Sequence, residues 1–210
     1  MSFGINAPEG FVENVSQLSA TANSKSKDYE IQSGYATSIF KGDPVCMTGG
    51  YINRGADGTS NAVCGVFIGA FYKDATGIHQ WVPYWPANTV TFADPATAFI
   101  LDDPFVEFSI QAGTTNAGTH LATFDRTDLD KNANFVLGAG NTSNGKSTTY
   151  LDMATAALTA TLNCKILSLT KGFSAEPSIP YQNTLGQLYN NANVIFNNHK
   201  YKGGTGTAGI

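Results

Sequence analysis

Charge is scarce in this chain: of 210 residues 13% are charged, and Arg54 and Arg126 are the two arginines. With a net charge of −4, the sequence lacks the basic face that displaces counterions from nucleic acid or meets an anionic membrane. Long apolar runs are missing too. The longest, Ala62 to Tyr72, contains Gly65 and Gly69 and is too short to span a bilayer. No basic stretch followed by an apolar one opens the sequence, so no secretory leader is expected and the chain reads as made in a reducing cytosol. Cys46, Cys64 and Cys164 cannot all pair with one another and have no zinc-like spacing, so buried free thiols are expected.

Polarity comes instead from neutral residues: Thr 23, Gly 22, Asn 18 and Ser 14. These are poor helix formers, and the good ones are few. Aromatic residues make up 11% of the chain, which gives it a core and excludes a disordered polymer. A chain this long buries roughly 70% of its unfolded surface without disulfides or structural metal. The expected fold is therefore all-β, a β-sandwich or jelly-roll-like barrel with an extended N-terminal arm and a flexible C-terminal tail. Residues 1–28 read as the arm, 29–182 as the β domain, and 183–210 as a helix-or-strand segment and tail.

Along the chain, residues 1–28 show neither period and are expected to order only against something outside the core. Glu30 to Phe40 reads as a strand ending in the turn Lys41-Gly42-Asp43-Pro44. The run VCMT, then Gly49-Gly50, then Tyr51-Ile52-Asn53 is a hairpin signal. AVCGVFIGAFY reads as a buried strand in which Gly65 and Gly69 mark a bulge or a close backbone approach. The segment around Pro83, Pro86 and Pro95 reads as edge strands. AFILDD, PFVEFSIQA, THLATF, NFVLGA, TTYLDM and TLNCKILSL follow at sandwich or barrel spacing. In PFVEFSIQA, Val106, Phe108 and Ile110 alternate with Phe105, Glu107, Ser109 and Gln111. Between Asn183 and Tyr201, Leu185, Leu188, Tyr189, Ala192, Ile195 and Phe196 fit a helical stripe, against which stand Gly186 and six asparagines.

Three motifs invite chemistry. GNTSNGKS, Gly140 to Ser147, matches the phosphate-loop pattern, in which backbone amides and Lys146 would hold phosphates and Ser147 a magnesium ion. The carboxylate that would help hold the ion is missing downstream, since no aspartate follows Asp152. The residues after Lys146 are also threonine-rich rather than helical. A glycine-rich turn is the simpler reading, with nucleotide binding as a remote alternative. In DRTDLDKNAN, Asp125, Asp128, Asp130, Asn132 and Asn134 resemble calcium ligands, but Ala133 and Ala139 stand where glycine and glutamate are needed. Asp102 and Asp103, adjacent on a strand, point to opposite faces. His79, His120 and His199 lack triad-type or metal-type neighbours. No catalytic residue, cofactor or metal is expected.

Phe71, Tyr72, Trp81, Tyr84, Trp85 and Phe92 form an aromatic group in and beside the proline-punctuated segment. It is either ordinary core, a protein interface or a sugar platform. Trp81, Tyr84 and Trp85 are the candidate interface residues, with Phe3 and Phe11 in the arm. The sugar reading, a carbohydrate-binding or tail receptor-binding module, would use the same Trp81, Tyr84 and Trp85.

MSFGINAPEGF, SGYATSIFKGDPVCMTG (Ser33 to Gly49), AVCGVFIGAFY, VPYWPANT, DDPFVEFSIQA and NNHKYKGGTGTAGI together resemble the head decoration, or cement, proteins of tailed bacteriophages. The likeness covers most of the chain in scattered pieces, and Ser33 to Gly49 is its most specific part. It implies an all-β virion protein on the outer surface of the capsid, often a homotrimer, that braces the major capsid protein. It also implies no catalysis, no nucleic acid and no membrane partner. The phosphate-loop match and the cysteines lie outside the resemblance.

Overall fold

The computed structural model describes residues 6–16, 26–56, 62–114, 123–170, 186 and 188–202. It is all-β: among these residues there is no α-helix, and one 3-10 turn at Arg126–Asp128. The strands are β1 (Val12–Ser16), β2 (Lys27–Ile31), β3 (Ile39–Phe40), β4 (Pro44–Thr48), β5 (Tyr51–Arg54), β6 (Gly65–Lys73) and β7 (His79–Val82). They continue with β8 (Tyr84–Trp85), β9 (Ala96–Leu101), β10 (Val106–Gly113), β11 (Asn132–Val136), β12 (Tyr150–Ala157), β13 (Cys164–Leu169) and β14 (Asn191–Phe196).

Five strands close a barrel in the order β10-β12-β11-β13-β14, with β14 returning to β10. The β10–β12 pair is parallel and the others are antiparallel. Alternation fills its interior: Phe108 and Ile110, Ala133 and Phe135, Cys164 and Ile166, and Ala192, Val194 and Phe196 all point inward. β14 occupies one edge of β10 at Phe108–Gln111, so β1 and β12 must share the other. β12 takes Ala112 and Gly113, and β1 takes Val106 to Ser109.

The sequence places residues 1–28 outside the core, whereas β1 pairs with β10 and extends the barrel's sheet. Just before it, Phe11 is 3% exposed and meets the rings of Phe108 at 5.9 Å, Phe135 at 5.7 Å and Phe196 at 4.8 Å. The candidate interface residue Phe11 is thus a core residue. Apolar burial against three aromatic rings outweighs the polar composition around it.

The second sheet runs β2-β9-β6-β4-β5, with β7 paired to the far half of β6. β6 repeats the arrangement of β10: β9 takes one edge, while β4 and β7 divide the other. A register shift at Phe67–Gly69 marks a bulge. At Gly65 a Cβ would collide with the Leu101 carbonyl, so both glycine signals in this strand have physical causes. Val45, Ile52, Phe67, Ile100 and Trp85 lie in the core of this sheet, beside the short β3–β8 pair.

One further expectation changes. Glu30 to Phe40 is not one strand: β2 stops at Ile31 and a turn intervenes before β3, with Gly34 at φ 76°. The C-terminal segment, open in the sequence to helix or strand, is strand at Asn191–Phe196, where Asn193 has partners on the outward face of the barrel. Asn193 accepts from Thr170 Oγ1 at 2.6 Å and donates to Ser168 Oγ at 3.1 Å. With these bonds made, Ala192, Val194 and Phe196 face the core at strand period. Of the strand expected at THLATF, residues 119–122 lie outside the described residues, as does residue 3.

Replacing Phe11 by alanine opens a cavity at the meeting of four rings. It is expected to lower stability by about 3–5 kcal/mol, read as a lower urea midpoint at unchanged slope. A loss under about 1 kcal/mol would mean the barrel closes without this ring.

Candidate functional site

Strand alternation splits the expected platform of Trp81, Tyr84 and Trp85. Trp85 is 0% exposed, packs edge-on to Tyr72 at 5.4 Å and donates its indole N–H to the Tyr35 carbonyl at 3.5 Å. It is core, not interface. Tyr84 is half-buried and stacks flat on Phe40 at 5.2 Å. Trp81 is 61% exposed. Pro83 stands between β7 and β8 and breaks the alternation that would keep two tryptophans four residues apart on one face.

The β6–β7 hairpin gathers a different aromatic group around Trp81. Its register sets Phe71 opposite Trp81 and Lys73 opposite His79, so all four side chains share the outer face of the sheet. Phe71 stacks on His79 at 5.3 Å, and Trp81 leans on Phe99 at 4.7 Å. The Lys73 ammonium lies 4.7 Å over the Phe92 ring. Phe71 and Phe92 are exposed there. Between Phe71, His79, Phe92, Asp94 and Thr97 is a cleft of about 180 Å³. His79 carried no motif of its own in the sequence; only the hairpin register brings it here.

Asp74 fixes this hairpin. Its carboxylate accepts from the Thr76 hydroxyl at 2.6 Å, from the Thr76 and Ile78 amides at 3.0 Å, and from Gln80 Nε2 at 3.0 Å. These bonds, that of the Thr76 hydroxyl foremost, hold its carboxyl well below the usual carboxylate range.

The phosphate-loop match has other uses. Residues 141–146 form a turn in which the Gly145 amide donates to the Asn141 carbonyl at 2.8 Å. The Ser143 and Lys146 amides donate to the side chains of Asn141 and Asn144, both at 2.9 Å. The Ser147 amide donates to the Lys41 carbonyl at 2.8 Å. Amides that would cradle phosphate are thereby spent inside the protein. Lys146 pairs with Glu9 at 2.9 Å, and strand β12 rather than a helix follows.

Ser147 belongs instead to a buried charge cluster. Asp43 is 0% exposed and takes Arg54 in a two-pronged grip, Nε at 2.7 Å and Nη2 at 3.1 Å. It also accepts from Ser147 Oγ at 2.5 Å, Thr149 Oγ1 at 3.1 Å and the Phe40 amide at 2.9 Å. Arg54 Nη2 donates further to the Gly138 carbonyl. Asp43 and Arg54 flank strands of the second sheet, whereas Gly138, Ser147 and Thr149 come from the β11–β12 connection of the barrel.

The remaining candidates have ordinary partners. Asp125 and Asp128 cap the 3-10 turn, and Asp128 pairs with Lys131 at 2.9 Å. Asp102 is buried against Lys27 and Tyr29, while Asp103 accepts from the Phe105 amide at 2.9 Å. All three cysteines are free and buried; burial pushes the Cys64 thiol up to about 12 and raises that of Cys164 also. Among the described residues no group of three His, Cys, Asp or Glu side chains is placed to hold a metal, and no helix is long and apolar enough to cross a membrane.

In comparisons with known proteins the chain matches no family model, no curated protein and no solved structure.

The charge cluster yields a prediction. Asp43→Ala leaves Arg54 without its buried partner and is expected to cost about 3–5 kcal/mol. Arg54→Met combined with Asp43→Leu is expected to cost less than the sum of the two single changes. A urea-unfolding double-mutant cycle measures that coupling, and additive losses would refute it.

Proposed function

We propose that this chain is a non-catalytic structural protein of a phage virion. In this reading it docks on the outer surface of the capsid against the major capsid protein, self-associates there as a homotrimer, and stabilises the shell. The observation that carries the reading is the exposed aromatic face of the β6–β7 hairpin: Phe71 and Trp81 lie opposite each other with Phe92 over Lys73 beside them, and all three rings are exposed. Contiguous exposed apolar surface of this kind is characteristic of interaction sites, and tryptophan at its centre is the usual anchor residue.

Two properties support the choice of partner. Ser33 to Gly49 and Asp102 to Ala112 carry the resemblance to phage decoration proteins. They supply β4 and β10, one in each sheet, together with Asp43 of the charge cluster and Asp102 of the β9–β10 turn. A mildly acidic chain with two arginines also suits the outside of a shell better than its DNA-facing side. The cleft beside Phe71 favours a second reading, a glycan stacked on the same rings, now centred on Trp81 without Trp85.

Purified chain is expected to co-sediment with heads that lack it, saturating at a number compatible with capsid symmetry. Those heads should also lose their DNA at a lower temperature than complete ones. Trp81→Ala combined with Phe71→Ser should cut occupancy at least tenfold, as loss of a central anchor does, with the melting temperature of the free chain unchanged. Absence of binding by the folded wild type would overturn the proposal. Quenching of Trp81 fluorescence by a glycan would then favour the second reading.

A further inference from the structure

We propose that residues 197–202 form an acid-released latch between the barrel and the second sheet, opened by protonation of His199. The segment begins on the barrel, where Asn197 Nδ2 donates to the Ala160 carbonyl at 2.9 Å and the Leu162 carbonyl at 3.1 Å. It then crosses to the other sheet. The Val63 amide donates to the Asn198 carbonyl at 3.1 Å, and the Lys200 amide returns a bond to the Val63 carbonyl at 2.9 Å. Lys200 Nζ reaches Met47 Sδ at 3.3 Å, and the Tyr201 hydroxyl meets that of Tyr29 at 3.1 Å. Six residues thus touch β2, β4 and the entry to β6.

His199 is buried in the middle of this crossing, 1% exposed, with the Phe196 and Tyr201 rings beside it. Its Nδ1 accepts the Tyr201 amide at 3.2 Å. An accepting Nδ1 fixes the neutral tautomer with its proton on Nε2, and Nε2 has no hydrogen-bond partner. A second proton can therefore go only to Nδ1. There it converts the acceptor of the Tyr201 bond into a donor that faces another donor.

The charged surroundings do not rescue the imidazolium. Lys202, on the same segment, repels it. Asp102 and Asp103, on the β9–β10 turn, attract it, but Asp102 is already bound to Lys27 and Tyr29 of β2 at 2.8 and 2.6 Å. The thiol of Cys64, next to Val63, is neutral because burial raises it, and the Lys200 ammonium brings more positive charge from the β4 side. Burial, the largest cause, pushes His199 down to about 4 from 6.5. The open latch therefore binds the proton more tightly than the closed one. Closure is complete above pH 6.5, and it weakens as pH falls from there through 4.

The test is hydrogen exchange of the full chain, corrected for intrinsic rates, at pH 7 and pH 4.5. Protection of the Val63, Lys200 and Tyr201 amides is expected to fall about 50-fold between the two, while amides of β10 and β13 keep theirs. His199→Gln, which stays neutral and can still accept the Tyr201 amide, is expected to keep the latch closed at both. Equal wild-type protection at both pH values would overturn the proposal. So would an unchanged pH response in His199→Gln, which would place the sensitivity on another group. Should that variant fail to fold, the wild-type His199 imidazole titration decides: a midpoint at or below about 5 supports the latch, and the ordinary value near 6.5 refutes it.

Discussion

The structure turns on one buried carboxylate. Asp43 is fully buried, where a lone carboxylate would be expelled or neutralised. What keeps it is a full set of donors: a two-pronged guanidinium, two hydroxyls and a backbone amide. A buried ion pair adds little net stability over a well-packed apolar pair, but half of one is costly. Its effect is therefore on geometry. Donors come from both β-sheets, so the sheets can close in only the arrangement that brings Ser147 and Thr149 to within bonding distance of Asp43. Interlocked glycines repeat the constraint nearby: a Cβ on Gly10 would strike the Gly42 carbonyl, and one on Gly42 would strike the Glu9 carbonyl. The Phe11 amide bonds to that same Gly42 carbonyl at 2.9 Å.

This joint bears on the two long strands. β6 and β10 each divide one edge between two partners, which lets a single strand serve two local structures. In β10 the division lets β1 pair beside the closed ring and brings Phe11 into the core. In β6 it releases the outer half of the strand to form the β7 hairpin, which carries Phe71 and Trp81 away from the core. The face that most resembles a docking surface is therefore an extension of the strand most firmly held by its neighbours. Asp74 keeps the far end of that extension rigid. A binding face of preset shape loses little entropy on docking, as a protein that braces a shell requires.

Much of the fold was legible in the sequence because strand alternation is a local signal. Phe108 and Ile110 alternate with Glu107 and Ser109 whatever the rest of the chain does, and Gly49-Gly50 must turn. The misread elements all depend on distant partners. Nothing within residues 1–16 announces that Phe11 meets Phe108 and Phe196. Helix and strand stay open before Tyr201 until Asn193 has Thr170 and Ser168 to bond. Of the candidate site, composition marks Trp81 with Phe71 and Phe92, but groups Trp85 with them because it does not show that a proline parts two short strands. Asp43 looks like a turn residue; its bond to Ser147 spans 104 positions, and no spacing rule reaches that far. The same bond explains why a phosphate-loop pattern stands in a turn whose amides are bound within the protein: glycines and asparagines for a tight turn, and a serine for the buried carboxylate, reproduce the pattern by separate demands.

The two buried polar junctions between the sheets differ in how their hydrogen bonds are completed, and the difference decides how each responds to solution conditions. At Asp43 each donor is matched by an acceptor, and the charges are opposite and adjacent. Breaking it would leave a buried charge without its partner, which is costly. At His199 one ring nitrogen accepts a backbone amide while the other has no partner, and the group nearest in charge is a lysine of the same segment. A junction that is incomplete in its resting state, and gains a repelled charge on protonation, is the weaker of the two by construction. The C-terminal crossing is therefore the junction at which a single added proton turns a hydrogen bond into a repulsion.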